Sequence, residues 1–182
     1  MKKLRKMKEF TMDLKINRFL SRTIFVDANA FIYFLTGKCN PLTVEIFKMG
    51  YIGKLKLVTT TRVVDELLFK MMVIEAKNKY GFEKNIPVKL KKNKDKVKEL
   101  SKSCNKVLEF LEKSRVKIVD IKVSSLRAIP EIMTQYGLFG NNALTIKMMR
   151  ELNLKFILSA DRDFENIDWI EVINPKMIKI VE

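Results

Sequence analysis

The chain has 182 residues, 47% of them apolar, enough for one substantial core with an appended element. It carries 36 Lys and Arg against 21 Asp and Glu, a formal net charge of +15, which favours a polyanionic partner such as RNA, DNA or an acidic membrane surface. With no histidine, His general bases, Ser-His or Cys-His nucleophile pairs and imidazole-ligated zinc are excluded.

Residues 1–22 hold Lys2, Lys3, Arg5, Lys6, Lys8, Lys15, Arg18 and Arg22 against Glu9 and Asp13. No clear N-cap starts a helix there, so the segment reads as a frayed basic extension, with draping over a phosphate backbone as its functional option. It lacks the apolar core and small-residue cleavage site of a signal peptide. No apolar run approaches the roughly 18 residues that span a bilayer. Cys39 and Cys104 form no C-x-x-C pair, so two free thiols in a reducing compartment are expected, a bridge between them remaining an alternative. A cytoplasmic setting, away from membranes, is therefore expected.

Thr23–Asp27 predicts a first strand that ends on a carboxylate, and Ala28–Leu35 a short helix stopping at Gly37. Pro41 suits a first helical position, with Val44, Phe47 and Met49 on the apolar side of a helix to about Ile52. Lys56–Thr59 is the second strand. Thr60 and Thr61 then open a long helix, whose apolar set Val63, Val64, Leu67, Leu68, Met71 and Ile74 carries it to about Lys79, before Gly81. Asp65 and Glu66 project about 100° apart on such a helix. Glu66 lies near the apolar stripe and Asp65 faces solvent.

The most basic stretch follows over residues 84–106. Val97, Leu100, Cys104, Val107, Leu108 and Leu111 predict a helix within it, so a Lys-rich helical insertion is expected around 81–113 of a single domain spanning 23–182. Its lysines make either a solvated helix face or a phosphate-tracking surface. In the second case Lys89, Lys91, Lys92, Lys94, Lys96 and Lys98 are the RNA-contacting candidates. Val116–Ile121 is a third strand. Ser124-Ser125 is expected to cap a helix over Leu126–Gln135, adjusted locally at Pro130. Asn141 or Asn142 opens the next helix after a loop at 136–140. Lys155–Ser159 is a fourth strand and Trp169–Ile173 the last. Alternating strands and helices predict an α/β fold of three α/β/α layers around a mostly parallel sheet.

Asp27 and Asp161 each follow a strand of that sheet, and Glu66 begins its helix at the same edge. Carboxylates brought together there need a proton or a cation. Oxygen donors without His or Cys favour a hard ion, Mg²⁺ or Mn²⁺. Such an ion activates water and neutralises a phosphodiester transition state.

The succession Ile24-Phe25-Val26-Asp27-Ala28-Asn29, Thr60 to Glu66-Leu67, Tyr136-Gly137-Leu138 with Asn142-Ala143, and Leu158-Ser159-Ala160-Asp161-Arg162-Asp163-Phe164 resembles the PIN-domain nuclease family over about Thr23 to Pro175. The resemblance implies a small α/β/α domain that cleaves single-stranded or structured RNA with a divalent metal. In many prokaryotic members it also implies a toxin held by an antitoxin peptide. Asp27, Glu66 and Asp161 match the first, second and fourth family acids. Asp163 matches an additional carboxylate of some members, and Ser159 a supporting hydroxyl beside Asn29. The third acid is replaced by Asn142, which keeps an oxygen acceptor but loses the charge. A slower one-metal nuclease, a silent RNA-binding or scaffolding relative, and a substitution that disables the site all follow from that departure. RNA, an antitoxin or other protein, and a second copy of the chain are the partners to consider.

Overall fold

Thr23–Val26, β-branched or aromatic throughout, form β1, whose last three side chains are fully buried. β1 is the middle strand of a five-stranded sheet ordered β3-β2-β1-β4-β5. The other strands are Lys56–Thr60 (β2), Lys117–Val119 (β3), Phe156–Leu158 (β4) and Glu171–Ile173 (β5). Every pairing is parallel, so all five strands end at the same edge. The register sets Val26 against Leu158 and Phe25 against Val58. Asp27, Ser159 and Thr60 therefore leave the sheet at nearly one level. This computed structural model describes residues 16–177.

The helices are Ala28–Leu35 (α1), Pro41–Tyr51 (α2), Thr61–Tyr80 (α3), Ile86–Lys91 (α4), Lys94–Lys113 (α5), Val123–Arg127 (α6), Ile129–Tyr136 (α7) and Gly140–Glu151 (α8), with a 3-10 turn over Arg162–Asn166. Right-handed crossovers put α1 to α5 on one face of the sheet. The return from β3 across the sheet to β4 puts α6 to α8 on the other. Packing follows that division: α3 lies against α1 and α5, and α8 against α6 and α7. Phe31 and Phe34 of α1, Phe47 of α2 and Phe110 of α5 form one aromatic cluster in the first layer. The three expected layers are thus present, around a sheet that is parallel throughout. Among the described residues no helix is long and apolar enough to cross a membrane.

Local boundaries follow their caps. Thr60 accepts a hydrogen bond from the Val63 amide at 3.3 Å and starts α3, which ends where Gly81 takes φ +66°. Pro41 occupies the first turn of α2 behind the Asn40 cap.

Several expectations need correction. The third strand is shorter than Val116–Ile121, because β2 offers Val58, Thr59 and Thr60 as partners and then turns into α3. The expected helix over Leu126–Gln135 is two helices, parted at Ala128, because Pro130 carries no amide hydrogen and is tolerated only in a first turn. Ser125 is no cap: it is buried and its hydroxyl donates to Glu151 at 3.0 Å. The last strand begins at Glu171, because Trp169 is held aside by its indole N–H bond to the Tyr136 hydroxyl at 3.2 Å.

The lysine-rich segment is helical as α4 and α5. With the end of α3 it encloses a small core of Ala76, Ile86, Leu90 and Leu100, separate from the main one. Of the N-terminal extension, residues 1–15 lie outside the described residues. The rest is not frayed, since Ile16 and Phe19 are buried and the Phe19 ring meets Phe156 edge-on at 5.5 Å. Cys39 and Cys104 are free thiols.

Candidate active site

Asp27 caps α1 at the end of the middle strand, its Oδ1 accepting from the Ala28 amide at 2.7 Å. Oδ2 accepts from the Ser159 hydroxyl at 2.8 Å and from the Asn29 side-chain amide. Asn29 is fixed in turn by the Ala160 amide, which donates to its Oδ1 at 2.7 Å. Ser159 Oγ also accepts from the Asp161 amide at 3.0 Å. One serine thus joins the ends of β1 and β4, and the two aspartates flank it. Burial pushes the Asp27 carboxyl above its ordinary pKa. The Ser159 and Ala28 hydrogen bonds pull it down, Glu66 pushes it further up, and Lys70 opposes.

Asp161 caps the 3-10 turn, its Oδ1 accepting from the Asp163 amide at 3.0 Å. Asn142 comes from the first turn of α8 and stands where its side-chain amide donates to both Asp161 Oδ2 and Asp163 Oδ2, each at 3.0 Å. Glu66 reaches in from α3 and is ion-paired at 2.5 Å with Lys70, one helical turn on. Asp65 points to solvent, as expected, and pairs with Arg62 at 2.6 Å. Arg62 Nε also donates to Asn141 Oδ1 at 3.3 Å, linking α3 to the start of α8.

Asp27, Glu66, Asn142 and Asp161 therefore line one cleft of about 140 Å³ at the carboxyl edge of the sheet. Sheets of this kind carry ligands at that edge. Asp163 lies outside the lining but is tied to it through Asn142. Asn29 lines it too, while Ser159 is buried beneath. Sequence reasoning missed Arg62, Lys70 and Asn141, which also line the cleft. The Glu66-to-Lys70 spacing of four was the available signal for Lys70.

The six candidate lysines are elsewhere, on α4 and α5. Lys89, Lys91, Lys92, Lys94 and Lys98 are exposed, and Lys98 pairs with Asp95 at 3.0 Å. The Lys96 ammonium is engaged, 4.7 Å from the centroids of both Tyr80 and Phe82.

The donors facing the cleft are oxygens, which in kind suit Mg²⁺ or Mn²⁺. Their arrangement is partly closed. Among the described residues no three acids are gathered as a ready ligand group. Lys70 holds Glu66, and the Asn142 amide is spread across Asp161 and Asp163. Two neutral or cationic groups of the chain thus do some of the charge balancing that an ion would do.

Comparison with known proteins adds to this geometry. Ribonuclease VapC2 of Methanocaldococcus jannaschii is 26% identical over 152 residues, covering 82% of this chain and 92% of that protein. Ribonuclease VapC6 of the same organism is 22% identical over 153 residues, covering 82% and 95%. Among solved structures, VapBC2 from Rickettsia felis, bound to a DNA fragment from their promoter, superposes with a TM-score of 0.50 at 16% identity over 84% of this chain and 98% of that one, a likeness of fold. The PIN domain family model matches residues 24–170, and by that match over most of its length the chain belongs to the PIN domain family.

Proposed function

We propose that the protein is a divalent-metal-dependent endoribonuclease that hydrolyses RNA phosphodiester bonds at the cleft between α3 and α8. The observation that carries this reading is the seating of Asp27 and Asp161 on either side of Ser159, at the ends of neighbouring parallel strands. Asp27, Glu66, Asp161 and Asp163 would hold Mg²⁺ or Mn²⁺, which when bound supplies an activated water and charge neutralisation for the leaving group. Asn29 and Ser159 fix the orientation of Asp27. Asn142 orients Asp161 and Asp163 through its amide. Relatives named as ribonucleases support the reaction class. Exposed lysines of α4 and α5 guide the RNA backbone, and the net charge of +15 supports a polyanionic substrate. We further propose, as its biological setting, a cytoplasmic toxin paired with an antitoxin, in one domain with a helical insertion.

RNA cleavage with Mn²⁺ tests it. Asp27→Asn is expected to lower the rate at least about 100-fold, on the order of 3 kcal/mol of transition-state stabilisation. Undiminished cutting by that variant, or cutting in excess chelator, would remove the metal mechanism.

A second reading, a weakened or silent RNA-binding or scaffold protein, is favoured by one observation. The Asn142 amide and the Lys70 ammonium already bind Asp161, Asp163 and Glu66. The nuclease reading expects metal-dependent products from the chain as written, increased by Asn142→Asp. The silent reading expects RNA binding without products in both proteins.

A further inference from the structure

The opposite edge of the sheet carries a second and larger cleft, of about 500 Å³. Thr23, Lys56 and Lys117 line it, and they are the first residues of β1, β2 and β3. The cleft therefore lies at the amino edge of the parallel sheet, at the end of the strands away from Asp27. Its size falls in the range of small-molecule sites, roughly 300–1,000 Å³. The apolar lining comes from Leu55, Leu57 and Val58 around β2, and from Leu152 and Leu154 between α8 and β4.

Every ionisable residue in the lining is a cation: Lys56, Arg115 and Lys117. All three are exposed, and among the described residues none of them is ion-paired with an acid. Arg115 is the most informative of the three. It follows the Ser114 cap of α5 with φ +54°, a left-handed conformation that glycine commonly fills just past a helix end. A long cationic side chain stands there against that preference. Its Nη1 lies 3.3 Å from where a Cβ on Gly53 would be, so the guanidinium is laid over the turn between α2 and β2. Gly53 also lines the cleft, and its bare backbone leaves that place open.

Positive charges beside an aliphatic lining specify a ligand with two parts. The head is anionic, and a dianion meets several cations better than a single charge does. The body is aliphatic, since neither an aromatic ring nor an acid is among the lining residues. A nucleic acid strand fits less well, because its bases find no ring to stack on. We propose that the amino-edge cleft binds a small phosphate monoester with an aliphatic body, its head held by Lys56, Arg115 and Lys117 and its body laid along the leucines. This site is separate from the acidic cleft and does not depend on the ribonuclease reading.

Titration calorimetry of the full chain in excess chelator, with octyl phosphate below its micelle concentration, tests the proposal. One saturable site is expected, and its absence overturns the proposal. Inorganic phosphate, which lacks the body, and octyltrimethylammonium, which inverts the head, are each expected to bind at least about ten-fold more weakly. Arg115→Gly is expected to weaken octyl phosphate binding by about ten-fold or more. The thermal midpoint of that variant without ligand should hold or rise, because glycine suits φ +54°. Lys117→Gln, at an exposed strand position, should also weaken binding, and Asp27→Asn should leave it unchanged. Equal affinity in either cation variant overturns the proposal, as does inorganic phosphate or octyltrimethylammonium binding as tightly as octyl phosphate. Tighter binding of adenosine monophosphate would make the cleft a nucleotide site and overturn it. Displacement of octyl phosphate by single-stranded RNA, or weakened binding in Asp27→Asn, would place the anion elsewhere with the same result.

Discussion

Asn142 is the residue on which the charge balance of the cleft turns. Its amide donates to Asp161 and Asp163, so a carboxylate at that position would face two others at about hydrogen-bond distance. Asn142→Asp is therefore expected to lose stability in chelator, on the order of 1–2 kcal/mol. Mn²⁺ should restore it by mass action, with an affinity at least about ten-fold above that of the unaltered chain. Thermal unfolding with and without the ion measures both effects. An equal Mn²⁺-induced shift in the two proteins would show that the third charge is immaterial. Asp27 makes a different prediction, because burial raises its folded pKa above the unfolded value of about 3.9. The folded chain then holds this proton more tightly than the unfolded one. The stability tied to the group is present below the unfolded pKa and declines as pH rises through the folded value. The stability of Asp27→Asn relative to the unaltered chain should thus increase as pH climbs through that window, measured in chelator. A difference that does not vary with pH would mean that Asp27 is not desolvated.

Among the elements, the seat of α2 on β2 has the closest approach of any of the glycines. A Cβ on Gly50 would lie 2.6 Å from Cδ1 and 2.9 Å from Cγ of Leu57, a side chain that is itself buried. Gly50→Ala is expected to cost about 1–3 kcal/mol by overpacking, offset slightly by better helix propensity. Denaturant unfolding reads the result, and a neutral or stabilised variant would show that α2 slides freely on the sheet. The α3 helix illustrates how an element converts spacing into a site. Residues 62, 66 and 70 recur at intervals of four, so Arg62, Glu66 and Lys70 share one face and reach one cleft. Asp65, one residue away from Glu66, points to solvent for the same geometric reason.

At the scale of the molecule, charge is distributed unequally. Asp27, Glu66, Asp161 and Asp163 gather at the carboxyl edge of the sheet, while the exposed lysines of α4 and α5 stand on a separate helical outgrowth with its own small core. Replacing Lys91, Lys92 and Lys94 by Ala together should lower single-stranded RNA affinity and reduce the salt slope by roughly 0.7 for each phosphate that is no longer neutralised. Affinity measured at several salt concentrations decides this, and an unchanged slope would make these lysines a solvated face. Lys89 and Lys96 are left out of that set because their ammonium groups sit against Phe82, and that of Lys96 also against Tyr80, where their removal would disturb packing as well as charge.

Much of this protein could be read before folding, because the informative signals were local. The apolar run Ile24-Phe25-Val26 before Asp27, and Ile157-Leu158 before Ser159, indicated buried parallel strands. Parallel strands must end at one edge, so the convergence of Asp27, Glu66 and Asp161 followed from pattern alone. Pro130 was visible too, and its tolerance only in a first turn divides α6 from α7. What linear order could not supply was the pairing of side chains distant in the chain. Lys70 on Glu66 and the Asn142 amide across Asp161 and Asp163 are outcomes of packing. Each depends on which neighbour fills the space beside a group, and that is settled only when the layers close on the sheet.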